Sequence, residues 1–303
     1  MEDMEIKGKN ILVTGGAGFI GSNLVEELIQ KKAKVSVIDI KIEKKSIFFV
    51  RSLKKKVHFK VLDIRNKTRL QKYLQENSPE YIFHLAAEPI VDKAFDKPYD
   101  AFNTNIFGTI NLLEAVRKNK KIKGIIVASS DKAYGKTHSE YTEESALKGD
   151  HPYDVSKSAM DLICQAYYKT YKIPVVITRF GNVYGEGDFN NSRIVPSICE
   201  SAINKKTLSV RSNGKYVRDY LYIKDVVNGY IFLLKNFEKT KGEAFNFSSK
   251  DTFSVIDLIS RAEKILNLKI KYKVLNIAKN EIPYQHLNDK KIRKLGWKSQ
   301  YSL

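Results

Sequence analysis

Cysteine is scarce in this chain. Cys164 and Cys199 are the only two, and neither sits in a CxxC or a Cys/His cluster. That excludes a disulfide framework and argues against a structural zinc site, so a cytoplasmic location is expected. No apolar run approaches the roughly 18 to 20 residues that cross a bilayer, and no membrane association is expected. Residues 1–10 are charged and lead straight into a strand-like segment, which speaks against a cleavable signal peptide. Internal repeats and low-complexity linkers are also missing. Charge is one-sided: 53 basic against 34 acidic residues leave a net +19. The lysines are spread over loops and helix ends, however, and no RNP, zinc-finger or recognition-helix pattern accompanies them. Nucleic acid is therefore not the expected partner; a lysine-rich proteome, or attraction of anionic small molecules, accounts for the charge.

What is present is an ordinary globular composition, 43% hydrophobic and 29% charged over 303 residues. In the first 180 residues short β-branched runs alternate with longer amphipathic patterns. Strands are expected at 10–14, 34–39, 57–61, 81–85, 122–128 and 175–179, and helices at 22–31, 68–75, 101–119 and 154–171. Nearly continuous apolar strands separated by helices predict a parallel sheet covered on both faces. The fold class is α/β, a Rossmann-type doubly wound sheet. After Gly181 the alternation stops: 181–191 reads as a loop, 208–219 as hairpin-like, 244–247 as a strand. Helices are expected at 194–204, 223–236 and 254–266, the last with Ser254 as N-cap. The expected division is a dinucleotide-binding unit at 1–180 plus about 219–248, and a smaller substrate-binding unit at 181–218 and 249–303.

The strongest local motif is Thr14-Gly15-Gly16-Ala17-Gly18-Phe19-Ile20-Gly21, lying between a strand and a helix. Gly15 permits the tight turn, Gly18 lets a pyrophosphate approach the backbone, and Gly21 allows close helix–sheet contact. Exposed N–H groups at the helix start, at Phe19 and Ile20, suit the anion. No GK[ST] follows, which removes an ATP-type phosphate loop. Asp39 closes the second strand, 18 residues past Gly21. An acid there accepts from a ribose 2′-OH and repels a 2′-phosphate, so NAD is the expected cofactor rather than NADP. Asp63, followed by Ile64, is expected to meet the adenine amino group.

Tyr153 and Lys157 form a YxxxK pair whose spacing of four sets both side chains on one helix face. The Lys157 ammonium is expected to lower the Tyr153 phenol pKa, letting it exchange a proton with a sugar hydroxyl. Upstream, Ser129-Ser130-Asp131-Lys132 follows a buried strand at its carboxyl end, where such sheets bind ligands. Together these motifs resemble the extended short-chain dehydrogenase/reductase family. His84-Leu85-Ala86-Ala87, Asn103-Thr104-Asn105, and Arg218-Asp219-Tyr220 match it in type and order. The resemblance runs over essentially the whole chain. It implies that Leu85, Ala86, Ala87 and Asn105 help to hold NAD, and that Ser130 hydrogen-bonds the reacting hydroxyl.

Within that family, nucleotide-sugar 4,6-dehydratases generally carry Thr-Asp-Glu where this chain has Ser130-Asp131-Lys132. The Lys variant resembles the CDP-glucose 4,6-dehydratase branch, as do the stretches beginning at Arg179, Arg193 and Glu281. The implied reaction oxidises a nucleotide sugar at C4, removes water across C5 and C6, and returns hydride to C6. Asp131 would donate the proton to the departing hydroxyl, and Lys132 would act as a base or stabilise an enolate. A nucleotide-sugar 4-epimerase is the alternative. The resemblance also implies a diphosphate held by Arg218, with Arg193 a second candidate and Asn182 on the substrate phosphate. It further implies a homodimer built on the helices at 101–119 and 154–171. Relatives commonly continue past Leu295-Gly296-Trp297, whereas this sequence stops at Leu303.

Overall fold

The structure, a computed structural model, describes residues 5–136, 139–249, 251–277 and 282–303. Glu281, the first residue of one stretch singled out above, lies outside them. Six strands open the chain: β1 (Asn10–Thr14), β2 (Lys34–Asp39), β3 (His58–Val61), β4 (Tyr81–His84), β5 (Gly124–Ala128) and β6 (Val175–Phe180). Then come β7 (Asn182–Tyr184), β8 (Leu208–Val210), β9 (Val217–Tyr222), β10 (Ala244–Phe247), β11 (Thr252–Ser254) and β12 (Tyr272–Val274).

Seven strands form one sheet in the order β10-β6-β5-β4-β1-β2-β3. Every pairing in it is parallel. Because successive side chains point to opposite faces, one strand feeds two cores. Ile11 and Val13 of β1 enter a cluster with Leu24, Val25 and Leu28 of the helix Phe19–Gln30. Leu12, between them, packs on the other face with Leu70, Leu112, Met160 and Cys164. This explains why the strands read as unbroken apolar runs.

Strand order reverses between β1 and β4, so a crevice opens at their carboxyl ends, where doubly wound folds take ligands. Both halves of the anticipated site, the glycine turn after β1 and the loop after β4, meet there. A third cluster, built on Leu208, Val210, Tyr220, Leu258 and Ile259, forms a core separate from the two that cover the sheet. Ser254 caps the helix Val255–Leu266 in a reciprocal box with Asp257.

Three local expectations need correction. Residues 208–219 do not fold back as a hairpin. β8 pairs with β12, and β9 pairs with β7 and β11, because the apolar side chains of β8, Leu208 and Val210, are buried in the third cluster. Asn182–Tyr184, expected as loop, is the short strand β7 paired with β9. The helix expected at 101–119 is interrupted by a single π turn, Asn103–Phe107, between Pro98–Phe102 and Gly108–Lys118. Buried Asn105 sits in that turn, and its side chain bonds outward to other segments.

Candidate active site

Backbone proximity, rather than side chains, defines the glycine turn. Gly15 has φ +70°, and a Cβ there would lie 2.7 Å from the Ala86 nitrogen. At Gly21 an added Cβ would fall 2.2 Å from the Gly15 carbonyl oxygen, so helix and turn could not keep their present contact. At Gly18 the Gly15 oxygen at 3.3 Å is the one heavy atom within 4 Å, which leaves room on the outer side of the turn. Asp39 stands beside it and accepts from the Ala17 N–H at 3.0 Å and the Ile40 N–H at 2.7 Å. Burial pushes its carboxyl up against those two donors. These residues fit NAD: an open anion cradle at a helix start, with a carboxylate at the end of β2.

The loop after β4 is held by a relay of hydroxyls. The Ala86 N–H donates to Thr14 Oγ1 at 3.2 Å, and Thr14 Oγ1 lies 2.8 Å from His84 Nδ1. On the ring's other side His84 Nε2 is 3.0 Å from Thr109 Oγ1, which donates to the Asn105 carbonyl at 2.7 Å. Thr109 has spent its proton, so Nε2 must donate and Nδ1 must accept. His84 is therefore the neutral Nε2–H tautomer. Burial, reinforced by the Lys157 charge, holds its pKa down at about 3.

A stability prediction follows. The unfolded chain protonates His84 near 6.5 and the folded chain only near 3, so protons favour unfolding between those values. The contribution is fully present above pH 6.5 and is lost on acidification, by up to about 1.4 kcal/mol per pH unit. Urea midpoints taken between pH 7 and pH 4 should fall less steeply for His84→Gln than for the parent. Equal slopes would remove His84 from the account.

Asn105 reaches the other side of the site. Its amide donates to Ser156 Oγ at 2.8 Å, and Ser156 donates to the Tyr153 carbonyl at 2.7 Å. The Glu88 N–H donates to Asn105 Oδ1 at 2.8 Å, so one buried amide ties the loop after β4 to the helix Pro152–Tyr171. Ile64 packs against Gly108, just beyond the π turn. Asp63 takes Arg65 in a bidentate pair at 2.7 to 3.1 Å. Burial raises the Asp63 carboxyl, but Arg65 overrides it and holds the group below the usual range.

Tyr153 and Lys157 are both buried on one face of that helix, 9% and 4% exposed. Their electrostatics differ from the sequence expectation. Lys157 donates to the Ala128 carbonyl at 2.8 Å, and burial lowers its pKa to about 8 while Asp161 opposes the drop. The Tyr153 phenol is raised above its ordinary value by burial; Ser130 and the Arg193 charge pull it down. The Asp131 and Asp154 carboxylates add to the rise, so the groups that favour its phenolate here are Ser130 and Arg193.

Ser130 caps a short 3-10 turn, Asp131–Tyr134, at the carboxyl end of β5. Its hydroxyl donates to Asp131 Oδ1 at 2.9 Å and accepts from the Lys132 N–H at 3.2 Å. Asp131 is 5% exposed, and burial raises its carboxyl above the ordinary value. Arg193 stacks over the Phe19 ring, 5.8 Å from its centroid, and donates to Asp188 at 3.3 Å. It therefore stands beside the glycine turn. Arg218 donates to the Val217 carbonyl at 2.9 Å and lies over Tyr216. Asn182 donates to the Asp219 carbonyl at 3.3 Å.

Sequence reasoning assigned no role to Gln285, whose side chain is buried against Asp131 and Lys132. It lies in the stretch beginning at Glu281 that resembles the dehydratase branch, but the two contacts span 153 and 154 residues, so local pattern does not show its partners. Among the described residues no group of three His, Cys, Asp or Glu could hold a metal, and no helix is long and apolar enough to cross a membrane.

Comparison with known proteins agrees with this geometry. A dTDP-D-glucose 4,6-dehydratase of Dictyostelium discoideum is 33% identical over 278 residues, which is 86% of this chain and 62% of that protein. This chain thus spans less than two thirds of that relative's length. The solved UDP-glucose 4-epimerase of Thermotoga maritima, with UDP-glucose, superposes with a TM-score of 0.88 at 28% identity, covering 97% of this chain and 94% of that one. The dTDP-glucose 4,6-dehydratase of Bacillus anthracis, in complex with NAD, gives 0.86 at 29% identity, covering 97% and 93%. The family model for NAD dependent epimerases and dehydratases matches residues 11–248. That range includes the glycine turn, the strand-end acid and the Tyr/Lys helix, and the chain belongs to the NAD dependent epimerase/dehydratase family.

Proposed function

We propose that this chain is a nucleotide-sugar 4,6-dehydratase acting on CDP-glucose or a close analogue. The observation that carries the reading is Asp131, buried beside Ser130 with its carboxyl raised towards the protonated form. Dehydration needs a proton donor for the departing C6 hydroxyl, whereas epimerisation at C4 has no leaving group to protonate. The Ser130-Asp131-Lys132 order supports the CDP-sugar branch.

NAD, when bound, accepts hydride from C4 and returns it at C6. Around that exchange the residues divide the proton work. Tyr153 takes the 4-hydroxyl proton as the phenolate, the form that Ser130 and Arg193 favour against burial, and Ser130 orients the same hydroxyl. The new ketone acidifies C5–H. That proton passes to solvent as Asp131 protonates the C6 oxygen and water departs; C5 takes a proton back from solvent when hydride reaches C6, and the proton held by Tyr153 replaces the one Asp131 gave, so the sugar loses one H2O in total. Lys132 stands beside Asp131 to stabilise the enolate electrostatically. Arg218 is the proposed diphosphate partner, through bidentate hydrogen bonds. Arg193 neighbours both the glycine turn and Tyr153, and Asn182 serves the substrate phosphate. In this assignment the NAD unit is 1–180 with about 219–248, and the remainder holds the nucleotide sugar. A homodimer is part of the proposal, supported by exposed Phe107 at the π turn and exposed Leu162 and Tyr171 on the helix Pro152–Tyr171. A solution mass of one chain would remove it.

The deciding experiment offers CDP-, dTDP-, UDP- and GDP-glucose, the CDP sugar also with deuterium at C4. The expected product has lost one water, absorbs in alkali as a 4-keto sugar, and carries deuterium at C6 of the same molecule. A sugar that keeps its mass while its C4 configuration scrambles would establish the second reading, a 4-epimerase. That reading is favoured by the Thermotoga maritima likeness.

A further inference from the structure

The segment 283–288 returns to the site and is strapped on both sides. On one side the Val217 N–H donates to the Pro283 carbonyl at 3.0 Å, and the Gln285 N–H donates to Val217 at 3.1 Å. The Leu287 N–H donates to Asp219 Oδ2 at 2.7 Å. On the other side the Tyr141 N–H donates to His286 at 2.9 Å, and the Asn288 N–H donates to Tyr141 at 2.8 Å. His286 itself is gripped between Asp219 at 2.6 Å and Glu140 at 3.0 Å.

This strapping delivers one side chain, Gln285, 1% exposed, to the Asp131–Lys132 pair. Its Nε2 donates to Asp131 Oδ2 at 3.2 Å, and its Oε1 accepts from Lys132 Nζ at 3.3 Å. An amide is the neutral group that offers a carboxylate a donor and an ammonium an acceptor at once. Turning it over would set NH2 against the ammonium and oxygen against the carboxylate, so the two charges fix its orientation.

We infer that Gln285 is the positioning residue for water loss: it locks the Asp131 carboxyl and the Lys132 ammonium into one arrangement from which acid and cation act on neighbouring sugar atoms. The inference rests on the dehydratase reading. Its donated hydrogen bond also favours the carboxylate form of Asp131, as do Lys132, Ser130 and Arg218, while burial and the Asp219 and Asp154 carboxylates favour the acid. Without that donor Asp131 keeps its proton to higher pH.

Gln285→Glu retains the shape and the acceptor for Lys132 but withdraws the donor from Asp131; Gln285→Leu removes both. In each variant water loss should slow about 10- to 100-fold. C4 oxidation, read as NADH absorbance in a single turnover, should stay within about two-fold, since no Gln285 contact touches the oxidising groups. The alkaline limb of the dehydration profile should move to higher pH in Gln285→Glu. Dehydration at the parent rate with an unmoved limb overturns the inference alone. So does equal loss of NADH formation and water loss, or a large drop in thermal midpoint in both variants, because either result marks a structural residue. If the parent chain removes water from no nucleotide sugar, the dehydratase reading fails first and this inference falls with it.

Discussion

Asp131→Asn should abolish water loss while leaving oxidation at C4 in place. The amide keeps the size and the acceptor oxygen of the carboxyl but has no acidic proton to give to the C6 hydroxyl. Loss of a positioned general acid costs about 10²- to 10⁴-fold, which here should appear in formation of the 4-keto-6-deoxy product. Tyr153 and Lys157 are untouched by the change, so mixing enzyme with substrate should still build up NADH absorbance, now without decay through hydride return. The substitution separates the two readings of the site, because an epimerase with Asn at this position should continue to work. Full 4-keto-6-deoxy formation by Asp131→Asn would show that the proton comes from elsewhere. Ser130 is the control. Its hydroxyl donates to Asp131 and interacts with Tyr153, so Ser130→Ala should slow the oxidation as well.

The second large effect is on stability. Asp161 and Arg179 form a bidentate pair at 2.8 Å for both bonds, with 0% and 1% exposure. Arg179, on β6, also donates to the Tyr134 hydroxyl at 2.6 Å and stacks on that ring, 4.9 Å from its centroid. Tyr134 in turn donates to Asn246 of β10 at 2.7 Å. The guanidinium therefore joins the helix carrying Tyr153, two strands, and the turn that bears Asp131. Asp161→Asn leaves that cation buried with its partner's charge gone, and breaking a buried pair from one side costs about 3 to 5 kcal/mol. Urea unfolding should show the loss. Exchanging both members, Asp161→Leu with Arg179→Met, should recover much of it, since no charge is then left in the interior. Asp161 also opposes the burial that lowers Lys157 to about 8, so in Asp161→Asn the lysine should lose its proton at a lower pH and the alkaline limb of activity should move down. An Asp161→Asn protein that unfolds at the parent's urea concentration would refute the argument.

Much of this molecule is written locally. The turn at Gly15 requires a positive φ, and the glycine at that position marks it without reference to the rest of the chain. Two-residue alternation along β1 divides Ile11 and Val13 from Leu12, so a run that looks uniformly apolar already implies a sheet buried on both sides. A spacing of four sets Tyr153 and Lys157 on one helical face because 3.6 residues make a turn. Each of these signals acts within a few residues, and there the sequence is legible. It was less so where local pattern and tertiary partner disagree: β8 and β9 look like a hairpin, yet each pairs with a strand from further along the chain.

By itself, then, the sequence determined the parallel sheet and the cofactor turn, and it named the side chains proposed to react. Only the tertiary structure decided the state of those side chains. Depth of burial sets Asp131 and Tyr153 above their ordinary values and Lys157 below its own, and depth is a property of packing rather than of neighbours in the chain. Gln285 reaches Asp131 across 154 residues, and Arg179 reaches Asp161 across 18. Contacts of that kind depend on where the backbone returns in space, which a periodicity of two or of 3.6 residues does not encode.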